Sequence, residues 1–284
     1  MKKQNFKLKE LMNNIAISTI AIFGFLSIFT SCEQDDIVSI ETDIPVVEAY
    51  LIPGEPINQI KLTKLIPFLT DEIYSEAENI NDAEITISNN DAYYKLIPFP
   101  GDSGCYYYPD TSLIISENES YNIEFQYKNK QVTASTITPE KPQNFKISQD
   151  LFLVERMVEG GYPSFNMETY EISWDNLDGS NYYLSIDLLE TVIDPVNFMI
   201  TDTVTQTLST PSVTDIYNIN SKTLRYYGNY RVVLYKVNEE YANLYESTST
   251  SSQSLTDPYS NIENGKGIFT AFNTDTLFFE VREY

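Results

Sequence analysis

The side chains able to do chemistry in this chain are mostly oxygen-bearing: 41 Asp and Glu and 22 Tyr, against 18 Lys and Arg and no histidine. A missing imidazole removes Ser-His-Asp and Cys-His nucleophile pairs, histidine-ligated zinc, copper or iron, and a histidine general base. Two carboxylates can hydrolyse a glycosidic bond unaided, yet so many acidic residues single out no pair. Tyr106, Tyr107 and Tyr108 follow Gly101 and Gly104. Neighbouring strand residues face opposite sides, so at least one of the three is expected at the surface, where a phenol ring can stack on a sugar or anchor a protein contact. Asp175, Asp178 and Asn181 carry oxygens suited to Ca²⁺, but their spacing is not that of a calcium loop, and turns favour the same residues. Phosphate-binding glycine loops, metal-spaced cysteines and a nucleophile elbow are absent from the sequence. The expectation is a non-enzymatic binding protein with no assigned catalytic, cofactor or metal-binding residue; a carboxylate hydrolase is the least favoured alternative.

One residue has a covalent prospect. Lys2, Lys3, Lys7 and Lys9 form a basic leader, and Ile15 to Phe29 is an apolar run. It is short for a spanning helix, which needs about 20 apolar residues, and has the length of a signal-peptide core. Phe29-Thr30-Ser31-Cys32 follows. Small residues before a cysteine resemble a lipobox, so residues 1–31 are expected to be cut away and Cys32 to carry lipid. Phe29 departs from the usual Leu of that motif. Cys105 then has no intramolecular partner and is expected as a buried or half-buried small apolar residue. Net charge is −23 over the whole chain, and losing four lysines with the leader makes the remainder more acidic. Such a chain repels nucleic acid and anionic lipid head groups and favours cationic partners.

These residues must be positioned by strands. Residues 32–43, opening on Glu33-Gln34-Asp35-Asp36, are polar and patternless and read as a tether. From Val46 apolar residues recur at every second position: Val47, Ala49 and Leu51; Ile60 and Leu62; Ile85 and Ile87; Tyr121, Ile123, Phe125 and Tyr127. Each reads as a strand with one wet face. Asn129-Lys130 offers a tight turn back into Gln131–Ile137. Pro139 and Pro142 mark a boundary, because proline cannot serve a central ladder. Tyr170, Ile172 and Trp174, then Tyr182, Leu184, Ile186 and Leu188, then Tyr230, Val232 and Leu234 repeat the alternation. Asn264-Gly265 predicts a turn, with closing strands at Gly267–Phe272 and Thr276–Val281. Ser247 to Ser254 reads as a loop, and no helical periodicity is evident beyond the leader. The fold class is all-β: two β-sandwiches, residues 44–140 and 141–284.

Two resemblances rest on these residues. Trp174 on one strand, a Tyr-bearing strand after it, and Leu224 six residues before Tyr230 in a Tyr-x-Val-x-Leu strand resemble fibronectin type III, which implies that Trp174, Leu224 and Tyr230 are structural core. The lipoprotein start, the strand Pro45-Val-Val-Glu-Ala-Tyr-Leu with Ile60-Lys-Leu-Thr, and the tail Tyr259-Ser-Asn-Ile-Glu-Asn-Gly-Lys-Gly-Ile-Phe together resemble an uncharacterised domain-of-unknown-function family of Bacteroidota lipoproteins, commonly encoded beside TonB-dependent outer-membrane receptors. The acidic cluster after Cys32 resembles the export signal of such lipoproteins. Asp202-Thr203-Val204 and Asp275-Thr276-Leu277 resemble their O-glycosylation acceptor. The resemblance implies an outer-membrane, lipid-anchored, surface-exposed protein. Its expected partners are membrane lipid through Cys32 and an outer-membrane β-barrel receptor, with a glycan or peptide as an alternative ligand at Tyr106, Tyr107 and Tyr108.

Overall fold

Period-two patterning over most of the chain becomes strand. The computed structural model describes residues 43–65, 77–161, 168–250 and 258–284; Cys32 and the leader lie outside them. The first half holds β1 (Pro45–Leu51), β2 (Ile60–Lys64), β3 (Thr86–Asn89), β4 (Ala92–Lys95), β5 (Ile97–Pro98), β6 (Cys105–Tyr107), β7 (Ser120–Tyr127) and β8 (Lys130–Ile137). The second half holds β9 (Lys146–Ile147), β10 (Leu151–Val154), β11 (Thr169–Ser173), β12 (Asn181–Leu188), β13 (Asp194–Pro195), β14 (Gln206–Leu208), β15 (Ile216–Asn220), β16 (Tyr226–Val237), α1 (Glu239–Thr250) and β17 (Lys266–Glu283).

Among the described residues, three sheets make two sandwiches. A ten-stranded sheet runs β14-β12-β16-β17-β1-β2-β6-β5, with β10 and β13 attached off that path. The sheet β4-β3-β7-β8 faces its first-half end, and β15-β11-β9 faces its second-half end. Each sandwich has its own apolar core. One gathers Val47, Leu62, Ile87, Tyr106, Ile123 and Phe125; the other gathers Phe152, Tyr170, Trp174, Leu184, Tyr230 and Leu234. In the second sandwich the seven main strands order as first-second-fifth in one sheet and fourth-third-sixth-seventh in the other. That is a Greek-key arrangement, as in immunoglobulin-like sandwiches. The Tyr230 hydroxyl donates to the Tyr226 carbonyl at 2.8 Å, a side chain locking the backbone a few residues upstream as in a tyrosine corner. Trp174, Leu224 and Tyr230 are each 5% exposed.

The two cores are not consecutive blocks of sequence. Residues 266–271 of β17 pair in parallel with β1, from Val46↔Lys266 to Leu51↔Ala271. The same strand then pairs antiparallel with β16, from Val237↔Phe272 to Gly228↔Val281. Ile262, Phe269 and Ala271, from the stretch expected in the second domain, therefore pack in the first core. Asn261 reads the backbone beside them, accepting from Phe269 N at 3.0 Å and donating to Phe269 O at 2.7 Å.

Three expectations are corrected. The expected closing strands Gly267–Phe272 and Thr276–Val281 are one strand, with Asn273-Thr274-Asp275 continuing the ladder between them. Asn273 is 5% exposed, with its amide donating to Glu117 Oε1 at 2.9 Å and Pro139 O at 3.1 Å. Part of the expected loop is the helix α1. Asn238 caps it, its carbonyl accepting from Ala242 N, and Glu239 and Glu240 sit in the first turn where the helix dipole favours them. Finally, the β7–β8 turn is Lys128-Asn129, and it is Lys128 that takes the left-handed conformation at φ 53°.

If β17 completes the first sandwich, Phe269→Ala should destabilise by about 3–5 kcal/mol. It should also speed amide exchange in β1 and β7, which lie more than 140 residues earlier in the sequence. Urea titration and hydrogen exchange read both, and an effect confined to the second sandwich would contradict this packing.

Candidate functional site

The outward side of the shared sheet carries an aromatic row. Residue parity sets it: inward Tyr182, Leu184, Val232 and Leu234 alternate with outward Tyr183 and Tyr235, which are cross-strand partners. Their rings stack 4.3 Å apart at 4°. Tyr235 meets Phe272 edge-on at 5.7 Å, and Phe272 meets Tyr50 at 6.1 Å. The row thus crosses β12, β16, β17 and β1 and spans both sandwiches. From α1, Tyr241 adds a ring 5.8 Å from Tyr183. Such contacts contribute about 0.5–1.5 kcal/mol each beyond area burial. Burial raises the Tyr183 hydroxyl far above the usual phenol range, with the neighbouring Tyr241 and Tyr235 adding to it. Tyr50 at one end is 42% exposed and Tyr245 of α1 is 40% exposed.

A cleft adjoins the Tyr50 end. Its volume is about 160 Å³, and Tyr50, Leu51, Glu55, Pro56, Ile57 and Ile115 are among its lining residues. The segment after β1 is pinned there by its backbone. Gly54 N donates to Ile115 O at 2.8 Å, Ile115 N to Glu55 O at 3.0 Å, and Tyr108 N to Ile57 O at 3.0 Å. A second hollow, about 360 Å³, lies between the two sandwiches beside Ser120, Ser135, Thr136, Asn238, Glu239 and Glu240. Burial raises the Glu240 carboxyl, although it accepts a hydrogen bond from the Thr136 hydroxyl at 3.2 Å.

The residues nominated from sequence are dispersed. Tyr106 is fully buried; its hydroxyl donates to Ile80 O at 2.9 Å and accepts from Ala83 N at 3.1 Å. Of the trio, Tyr106 is thereby turned into the core, and only Tyr107 and Tyr108 keep partial exposure. Tyr107 is half-buried and packs on the exposed Phe99 with ring centroids 4.5 Å apart. Tyr108 is half-buried, edge-on to Tyr94 at 5.5 Å, with its hydroxyl 3.0 Å from Ser112 Oγ. Cys105 is half-buried and free, its thiol 3.4 Å from Ser103 O. The oxygens of Asp175 and Asp178 have separate partners: Asp175 accepts from Asn144 at 2.6 Å and Asp178 pairs with Lys236 at 2.7 Å, while Asn181 opens β12. Thr203 and Thr276 are both exposed.

Sequence reading missed the aromatic row. Tyr50, Tyr183, Tyr235 and Phe272 occupy the "polar" phase of their strands, and their outward direction was legible. That the four phases align across four strands depends on register.

A family model described as "Domain of unknown function (DUF4249)" matches residues 33–277. No curated protein matches. Among solved structures, "Crystal structure of chicken CNTN1 FN1-FN3 domains" is similar at 10% identity, covering 84% of this chain and 67% of that chain, with a TM-score of 0.19.

Lys236, 7% exposed by side chain, holds Asp178 and also Glu140 at 3.4 Å. Its hydrogen bond pulls the Asp178 carboxyl down to about 2, below an unfolded value of about 3.9. A depressed carboxyl stabilises above its unfolded pKa and loses that contribution as pH falls through its folded one. Asp178→Asn should therefore lower the urea midpoint at pH 7. Between about pH 4 and pH 2 its stability should fall less steeply than that of the parent protein. Parallel acid limbs for the two proteins would contradict the pairing.

Proposed function

The chain belongs to the DUF4249 family of unknown function, and we propose that it is a non-enzymatic surface lipoprotein, an accessory subunit of an outer-membrane, TonB-dependent receptor system. The single observation that carries a docking role is the aromatic row across both sandwiches. Aromatic side chains are enriched at protein interfaces, and β17, shared by both sandwiches, holds the row as one surface. The lipobox-like Phe29-Thr30-Ser31-Cys32 supports the address. One acyl chain gives marginal membrane binding, whereas the multi-chain modification of bacterial lipoproteins anchors firmly. The acidic surface favours a partner with basic character and disfavours nucleic acid.

A glycan reading has one observation of its own, the packed pair Tyr107 and Phe99 beside the β5–β6 edge. Affinity electrophoresis against a polysaccharide panel tests it: retardation lost on Tyr107→Ala supports it, and unretarded migration on every glycan removes it.

For the principal reading, affinity purification from solubilised outer membranes should recover a β-barrel receptor, and Phe272→Ala with Tyr235→Ala should weaken that recovery. Mass spectrometry of the mature protein should find acylated Cys32 at the N-terminus. Recovery of the protein alone, or an unacylated terminus, would overturn the reading.

A further inference from the structure

The cleft at the Tyr50 end of the aromatic row combines three kinds of wall. Its floor is apolar: Leu51, Ile57 and Ile115 are 1%, 4% and 2% exposed. One side is the half-open ring of Tyr50. The rim carries the exposed carboxylate of Glu55, and among the described residues Glu55 makes no ion pair. None of the lining residues is basic. Glu48, on the same face of β1 two residues before Tyr50, adds negative potential there. Its cross-strand neighbour Lys61 is held by Asn79 Oδ1 at 2.7 Å and by Ser103 O. The backbone bonds that join Gly54, Glu55 and Ile57 to Ile115 and Tyr108 form these walls without a partner, and preformed walls lower the ordering cost of binding.

We propose that this cleft receives one arginine side chain from a partner polypeptide. The volume, about 160 Å³, suits a single side chain; a cavity of about 150 Å³ holds one benzene. An arginine stem can lie on apolar surface while its planar guanidinium stacks on a tyrosine ring and pairs with a carboxylate. An apolar plug would cover the floor but give the exposed Glu55 carboxylate on the rim no counter-charge. A basic anchor also uses the protein's net charge of −23, which draws cationic surfaces toward it. The inference rests on the accessory-subunit reading only for who supplies the arginine.

The experiment is an NMR titration of the whole mature protein with N-acetyl-arginine amide. N-acetyl-leucine amide and maltotriose serve as competitor chemistries. Arginine should give saturable shifts at the Tyr50, Glu55 and Ile115 amides. Glu55→Gln and Tyr50→Leu should each weaken binding about fivefold or more, equivalent to about 1 kcal/mol. Shifts spread without saturation over the acidic surface, unchanged affinity in Glu55→Gln, or leucine or maltotriose binding there instead would overturn it. The receptor purification separates the two claims. A barrel recovered equally well by Glu55→Gln removes the arginine anchor and leaves the receptor reading intact. Saturable, Glu55-dependent arginine binding without any barrel does the reverse.

Discussion

The backbone ladder of β17 is the constraint on which the rest of the structure depends. One 18-residue strand serves two sandwiches, with six parallel pairs to β1 and ten antiparallel pairs to β16. A strand rises about 3.3 Å per residue, so the ladder is a single rod about 60 Å long joining both cores. The parallel segment demands close approach of two backbones. Gly267 lies at φ +99°, and a Cβ built there would stand 2.0 Å from the Val47 carbonyl oxygen. Any side chain at that position would push β17 off β1, and with it Phe269 and Ala271 out of the first core.

Polar contacts at the junction then remove the freedom that a proline-containing link would otherwise give. Asn273 binds the Pro139 carbonyl and the Glu117 carboxylate, Lys141 pairs with Asp275 at 2.9 Å, and Lys236 gathers Asp178 and Glu140. Asn238, just before α1, donates to Thr136 Oγ1 at 2.8 Å and Ile137 O at 2.7 Å, tying the helix start to the end of β8. Lys236 is nearly buried and keeps its charge because two carboxylates face it. At the far end of β17, Arg156 binds Asp194 at 2.8 Å and Glu283 at 2.9 Å and lies 4.5 Å over the Tyr227 ring. These groups fix the ends and the middle of the rod, so Tyr50 on β1 and Tyr183 on β12 belong to one surface.

Much of this was legible in the residues. Period-two alternation located β1, β2, β3, β7, β11, β12 and β16, because burying one face of a sheet writes its period directly into the sequence, and the turn after β7 located β8. The Leu224–Tyr230 spacing likewise located a buried corner. What misled were residues whose local preference was overruled. Asn273-Thr274-Asp275 has turn composition, but Asn273 finds partners across the junction that repay keeping it extended. The Ser- and Thr-rich end of α1 hid a helix. There Ser247 Oγ donates to the Leu244 carbonyl at 2.8 Å and Thr248 Oγ1 to the Tyr245 carbonyl at 2.9 Å, so the hydroxyls bond within the helix itself. Which of Tyr106, Tyr107 and Tyr108 faces outward was not legible: the phase of β6 turns Tyr106 inward, and Ile80 and Ala83 satisfy its hydroxyl. The direction of a three-residue strand is too short a pattern to read.

The sequence alone determined the all-β class, the acidic surface, the exclusion of histidine chemistry and the identity of the core faces. These follow from composition and from local alternation, which each strand carries within itself. Only the tertiary structure decided that a strand near the C-terminus completes the first sandwich, that four outward aromatics from distant strands align, and that a carboxylate stands beside a tyrosine over an apolar floor. Each of these depends on register and on pairing between residues up to 220 positions apart. Periodicity cannot carry that information, because the same alternation is compatible with many partners and becomes specific only when Gly267, Asn273 and the packed cores exclude the others.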